Sequence, residues 1–113
     1  MQRRTQLRFV VSLEIGLRSE SNFWVASANN ISEGGVFIAT KELKPIGSRV
    51  EMNIRLPHPY GVIWTLGEVR WIRETPAGAE APLGMGVRFE EIAEEAQQAI
   101  RAFLSARPPL SLR

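Results

Sequence analysis

Apolar and polar residues alternate along most of the chain, with the period of two that is typical of strands buried on one face. In the first such stretch the apolar face consists of Phe9, Val11, Leu13, Ile15 and Leu17. Similar patterns predict further strands at residues 23–28, 36–40, 50–56, 62–71 and 85–89. The sequence therefore predicts six strands that share one core.

The fifth of these stretches contains a change of phase. Its first half places Trp64 on one parity, and its second half places Trp71 on the other. A β-bulge at residues 67–68 would return both halves to a single buried face. On this interpretation the tryptophans of the chain are mostly buried.

Near the C-terminus the apolar spacing becomes that of a helix. The helical positions are Ala96, Ala99, Ile100, Phe103 and Leu104, and the pair at 108–109 is Pro-Pro, which ends the pattern. Antiparallel strands followed by one helix predict a mostly β fold, a small barrel or closed sandwich whose open end or edge the helix covers. The folded domain is predicted to span residues 9–107, between a flexible arginine segment at 1–8 and a tail at 108–113.

Length and composition are those of one ordinary globular domain. The 113 residues suffice for a single packed core, and 44% of them are hydrophobic and 23% charged. The chain has no cysteine, no apolar run that could span a bilayer, and no secretory signal at its N-terminus. A cytoplasmic location without membrane insertion is therefore expected.

The residues that most enzymes use are scarce. His58 is the one histidine of the sequence and stands between two prolines, and aspartate and cysteine are absent. Catalytic triads, Cys-His dyads and Asp-rich calcium loops cannot be assembled from this set, and no residues are spaced as metal ligands. We therefore expect a binding domain rather than an enzyme, without metal or cofactor.

Arginines are concentrated at the N-terminus, although the formal net charge of the chain is only +2. Arg3, Arg4 and Arg8 all precede the first acid, Glu14. Arg4 and Arg8 are four residues apart and would project to the same side of an extended segment. Guanidinium groups suit phosphate oxygens and the acceptors of guanine. A basic, disordered N-terminus explains the same residues, and both interpretations stay open at this point.

A second cluster lies between the second and third predicted strands, at residues 30–35. Asn30 and Ser32 carry short hydrogen-bonding side chains, and Gly35 would let a ligand approach the backbone closely. An ordinary β-turn uses the same residue types. Taken alone, this cluster also leaves both interpretations open.

Together and in this order, the two clusters resemble the signature of PilZ domains, an Arg-x-x-x-Arg segment followed by an Asp/Asn-x-Ser-x-x-Gly turn. Arg4 and Arg8 match the first part, and Asn30, Ser32 and Gly35 match the second. Further segments, including residues 67–71 and 84–89, resemble a PilZ subgroup frequent in myxobacteria and related deltaproteobacteria.

The resemblance implies a six-stranded antiparallel β-barrel with a C-terminal α-helix that binds cyclic di-GMP on its outside. The implied ligand contacts come from Arg3, Arg4, Arg8, Asn30, Ser32 and Gly35. An arginine directly before the motif, here Arg3, implies that the ligand binds as an intercalated dimer. The implied role is that of a sensor that passes the signal to an effector protein in the control of motility, pili or exopolysaccharide.

Two other functions compete with this one. A PilZ-fold adaptor could bind a protein partner and no nucleotide. A small barrel could also bind single-stranded nucleic acid through aromatic residues such as Trp24, Phe37, Trp64 and Trp71. The predicted burial of the tryptophans and the confinement of positive charge to one end disfavour the last, so no nucleic-acid partner is expected.

Overall fold

In the computed structural model, six antiparallel strands close into a barrel and one helix follows them. The structure describes residues 9–76 and 82–106. The strands are β1 (Phe9–Ser19), β2 (Asn22–Ile31), β3 (Gly35–Ala39), β4 (Arg49–Arg55), β5 (Val62–Arg73) and β6 (Gly84–Ile92), and the helix is α1 (Glu94–Ser105). Around the barrel the order is β1, β2, β3, β6, β5, β4, and β4 pairs with β1 again. The predicted fold class is confirmed. The described helix is too short and too polar to cross a membrane.

Side chains fill the interior of the barrel. The inward residues of β1 and β4 are Val11, Leu13, Ile15, Leu17, Val50, Met52 and Ile54, as their alternation predicts. Polar residues of the same strands, such as Glu14 and Arg18, stand on the outside. A barrel of so few strands has no room for a ligand within it. Any binding site must therefore lie on the outer surface.

In the first half of β5, the residues that face the core are not the predicted ones. Ile63 and Val69 are buried, whereas Trp64 is 70% exposed and Trp71 is 37% exposed. Trp24 of β2 is partly buried and packs against the core. The prediction that the tryptophans are mostly buried is therefore wrong for Trp64 and Trp71.

The register between β5 and β6 shifts twice, between Leu66 and Gly67 and between Val69 and Trp71. At the first shift the extra residue is Glu90 of β6. Pairing with β6 leaves Arg70 as the extra residue between Val69 and Trp71. Before it the inward parity runs unbroken through Gly67, where a Cβ atom would meet the side chain of Val87. An irregularity next to Gly67 is therefore present, but its extra residue lies on β6, so it does not exchange the two faces of β5. The bulge in β5 itself lies at Arg70 and not at the predicted residues 67–68.

The helix packs against one end of the barrel through the side chains predicted for it. Ile100, Phe103 and Leu104 are buried in the common core. The Phe103 ring meets Tyr60, which follows β4, edge to face with centroids 5.7 Å apart. Edge-to-face pairs add to the stabilisation that burial alone provides. Phe103 therefore anchors α1 to the barrel.

Candidate functional site

The second predicted cluster forms the tight connection between β2 and β3. Asn30 and Ile31 close β2 and Gly35 opens β3, so the connection is shorter than predicted. The backbone N–H of Ser32 donates to the Gly35 carbonyl at 2.9 Å, and the Ser32 hydroxyl accepts from the Gly34 N–H at 3.2 Å. Ser32 thus stabilises the turn as well as lying at its surface.

Gly35 is required by the packing of two strands. A Cβ atom at this position would collide with the backbone carbonyl of Val87 in β6. The glycine therefore lets β3 and β6 approach each other directly behind the turn. The prediction that Gly35 gives clearance to a ligand remains a prediction, since this packing explains the residue by itself.

A shallow cavity of about 190 Å³ opens on the outer face of the barrel beside this turn. Asn30, Ser32 and Gly35 line it from the β2–β3 connection, and Arg88 of β6 and Trp71 of β5 line it beside them. Sites that enclose a drug-sized molecule usually measure roughly 300–1,000 Å³. This cavity can therefore hold part of a nucleotide, with the rest of the molecule lying along the surface.

Aromatic rings form the floor of the cavity. Phe37, Gly86 and Trp71 are neighbours in register across β3, β6 and β5. The absent side chain at Gly86 leaves space for the Trp71 indole, which a Cβ atom there would strike. The two rings stack with centroids 5.2 Å apart, and the Arg73 guanidinium lies 5.0 Å from the Phe37 centroid. Phe37 is consequently buried although it points away from the core.

Two arginines give the cavity positive charge. Arg88 and Arg70 lie 3.4 Å and 3.8 Å from the same carboxylate oxygen of Glu68, and half or more of each arginine side chain is exposed. Exposed ion pairs of this kind contribute only about 0–1 kcal/mol. An incoming phosphate could therefore take over these guanidinium groups from Glu68 at little cost.

The N-terminal arginine segment joins the barrel beside the same turn. Arg3, Arg4 and Arg8 lie outside the described residues, but Arg8 is bonded to Phe9, the first residue of β1. Phe9 pairs with Ile31, and Val10 pairs with Asn30. The start of β1, to which the arginine segment is covalently attached, therefore lies beside the turn.

The cationic and aromatic residues of this cavity were not predicted as site residues from the sequence. Arg70, Trp71 and Arg88 all line it, together with the predicted turn. The alternation of the sixth strand could have indicated Arg88, because it sets this arginine on the outer face, next to the glycines at 84 and 86. Within the described residues no group of acids, histidines or cysteines could hold a metal ion.

Comparison with protein families gives one match that covers most of the chain. The family model for the PilZ domain matches residues 2–106. That range includes both the arginine segment and the turn. No curated protein sequence matches the chain.

Solved structures share the fold. The Bacillus subtilis inhibitor of motility (MotI/DgrA) superposes with a TM-score of 0.75 at 26% identity, over 96% of this chain and 55% of that one. The PilZ domain of Escherichia coli YcgR with c-di-GMP gives 0.70 at 16% identity, over 92% and 91%. The K. pneumonia MrkH–c-di-GMP complex gives 0.73 at 17% identity, over 94% and 52%. The chain thus spans about half of the MotI and MrkH chains. The predicted myxobacterial subgroup is not supported by these matches.

Proposed function

Since the PilZ model matches nearly the whole chain, the chain belongs to the PilZ domain family, and we propose that it is a receptor for cyclic di-GMP that acts on an effector protein. Binding of this messenger makes and breaks no covalent bond, so the proposed activity is regulatory rather than enzymatic. Effectors in motility, pili or exopolysaccharide control would suit such a receptor. The nucleotide-free adaptor is the alternative that the experiments below exclude or establish.

The observation that carries the proposal is the composition of the cavity. The turn of Asn30 and Ser32 supplies hydrogen-bonding groups, and Arg70 of β5 and Arg88 of β6 supply exposed guanidinium groups. Trp71 adds an aromatic surface. Guanine bases and phosphates call for hydrogen-bonding groups, cations and an aromatic surface.

The first test is direct titration. We expect calorimetry to detect binding of cyclic di-GMP to the purified protein, with no competition from GTP or cyclic AMP at similar concentration. Of these three nucleotides, only cyclic di-GMP presents two guanines and two phosphates in one compact ligand. Absence of both a heat signal and a thermal shift in excess ligand would refute the receptor and favour the adaptor.

A pair of matched arginine variants tests the cavity itself. Arg88→Ala is expected to weaken binding about tenfold, since it removes an exposed charge-assisted contact of about 1.4 kcal/mol. Arg55→Ala is the control because Arg55 is equally exposed and also pairs with a glutamate, on strand β4 away from the cavity. Equal affinity of the Arg88→Ala variant and the wild type would remove Arg88 from the site.

Ligand stoichiometry depends on the positive charge that is available. A stacked dimer of cyclic di-GMP brings about four negative charges, and the cavity adds Arg70 and Arg88 to the N-terminal arginines. We expect two nucleotides per chain, with binding that weakens at high salt because exposed charges are screened over about 8 Å. Arg3→Leu should lower the ratio toward one without abolishing binding. A wild-type ratio of one, at a known active protein concentration, would refute the ligand dimer and leave the receptor standing.

A further inference from the structure

Large apolar side chains are exposed on the side of the barrel away from the candidate nucleotide site. Phe23 and Val25 of β2 are 67% and 60% exposed, and Trp64 and Val62 of β5 are 70% and 44% exposed. Between them lie the outward residues of β1 and β4. We call this surface the β1–β4 face, and its residues are Glu14, Gly16, Arg18, Phe23, Val25, Glu51, Asn53, Arg55, Val62, Trp64 and Leu66. Isolated exposed apolar residues are common, whereas here two apolar pairs flank one groove, which indicates an interaction surface.

The centre of this face is hollow although the barrel is convex. Val25, Gly16, Asn53 and Trp64 follow one another in register across four strands. Gly16, within the row, has no side chain, and a Cβ atom there would come within 2.7 Å of the Asn53 amide nitrogen. The end of the row carries the large indole of Trp64. A groove of about 280 Å³ results, with Phe23 and Trp64 among its lining residues. The face can therefore receive an opposing surface.

Charges on the face alternate in a regular pattern. Arg18 lies 3.1 Å from Glu51 across the strand pair, on one side of the central row. On the other side the order is reversed, with Glu14 on β1 and Arg55 on β4, 3.7 Å apart. Each strand thus carries one acid and one base, in opposite order.

We propose that the β1–β4 face binds a second copy of this chain through a two-fold axis that runs along the strands. Such an axis sets each position of β1 against the facing position of β4 in the other copy. Arg18 then meets Glu51 of the second copy, so that the acids and bases of the two copies are complementary. The same axis sets Val25 of one copy against Trp64 of the other, so that apolar residues also face each other.

This arrangement leaves the nucleotide cavity open. The cavity is centred on β3 and β6, which stand opposite β4 and β1 in the order of the closed barrel. The dimer would therefore present its two cavities outward, on opposite ends. Because the apolar contact is confined to a few side chains, we expect micromolar rather than nanomolar self-association.

Sedimentation velocity of the full 113-residue chain, without nucleotide, tests whether this dimer forms. From about 10 µM to about 1 mM, a range that brackets weak interfaces, the wild type should pass from monomer to dimer. Trp64→Ala should raise the dissociation constant about tenfold or more, as is usual for a tryptophan that becomes buried in an interface. Ile46→Ala is the matched control, because Ile46 is 62% exposed but lies outside the face, and it should leave the constant unchanged.

A charge reversal tests the axis. Arg18→Glu should weaken the dimer, and the double variant Arg18→Glu/Glu51→Arg should recover it, because each reversed charge again meets its opposite across the axis. Circular dichroism checks that every variant is folded. A wild type that stays monomeric over the whole range, or equal losses for the Trp64 and Ile46 variants, would overturn the proposal. If the double variant does not regain dimerisation, the proposed direction of the two-fold axis is wrong.

Discussion

Replacing Arg4 or Arg8 by alanine is expected to weaken cyclic di-GMP binding by roughly 10- to 150-fold, because each change removes a charge-assisted contact of about 1.5–3 kcal/mol. Both residues belong to the segment that enters β1 beside the Asn30 turn. The double variant should lose most measurable binding. Calorimetric titration at fixed ionic strength measures both effects.

The control for this pair is Arg18→Ala, which removes an exposed arginine of β1 on the other side of the barrel. It should bind cyclic di-GMP like the wild type. The fold should survive in all variants, because the alternation of the sequence sets Arg4 and Arg8 on the parity opposite to the apolar residues, and Arg18 is exposed. A double variant of Arg4 and Arg8 that binds as tightly as the wild type would show that the arginine segment does not contact the ligand.

Phe103→Ala is expected to lower the free energy of unfolding by about 3–5 kcal/mol, the usual cost of removing a buried phenyl ring. The side chain is almost fully buried and contacts Tyr60 at the end of the barrel. Its loss leaves a cavity between α1 and the strands. Urea or guanidinium denaturation, with unchanged slope, measures the difference.

Arg101→Ala is the matched control on the same helix. Arg101 is half exposed and pairs with Glu33 of the β2–β3 turn at 3.2 Å. Its removal should cost at most about 1 kcal/mol, because exposed ion pairs contribute little. A similar small loss for Phe103→Ala would mean that α1 is not anchored through the phenyl ring.

Regular strands were predictable from the sequence, and irregular ones were not. In β1 and β4 every second residue is apolar, so parity alone identifies the buried face. In β5 both parities carry large apolar residues, and Trp64 and Ile63 compete for the core. The pairing with β4, which sets Ile63 opposite the buried Ile54 and Trp64 opposite Asn53, decides which of them is buried. That pairing is a long-range property which local alternation does not contain.

The candidate site divides in the same way. The turn of Asn30, Ser32 and Gly35 is local in sequence, and it was predicted from its motif. Trp71 and Arg88 are distant from it along the chain and reach it only through the register of β3, β6 and β5. The presence of Trp71 in the cavity depends in addition on Gly86, which makes room for the indole. A motif search cannot supply such a dependence.

Closure of the barrel limits the ways in which any protein can recognise this domain. In the described part of the chain each of the six strands has two hydrogen-bonded neighbours. Recognition by strand addition, in which the partner's main chain supplies the hydrogen bonds, therefore has no free strand to extend. A partner has to read side chains on the outer surface. Relatives with the same backbone can consequently acquire different partners through a few surface substitutions, without altering the fold.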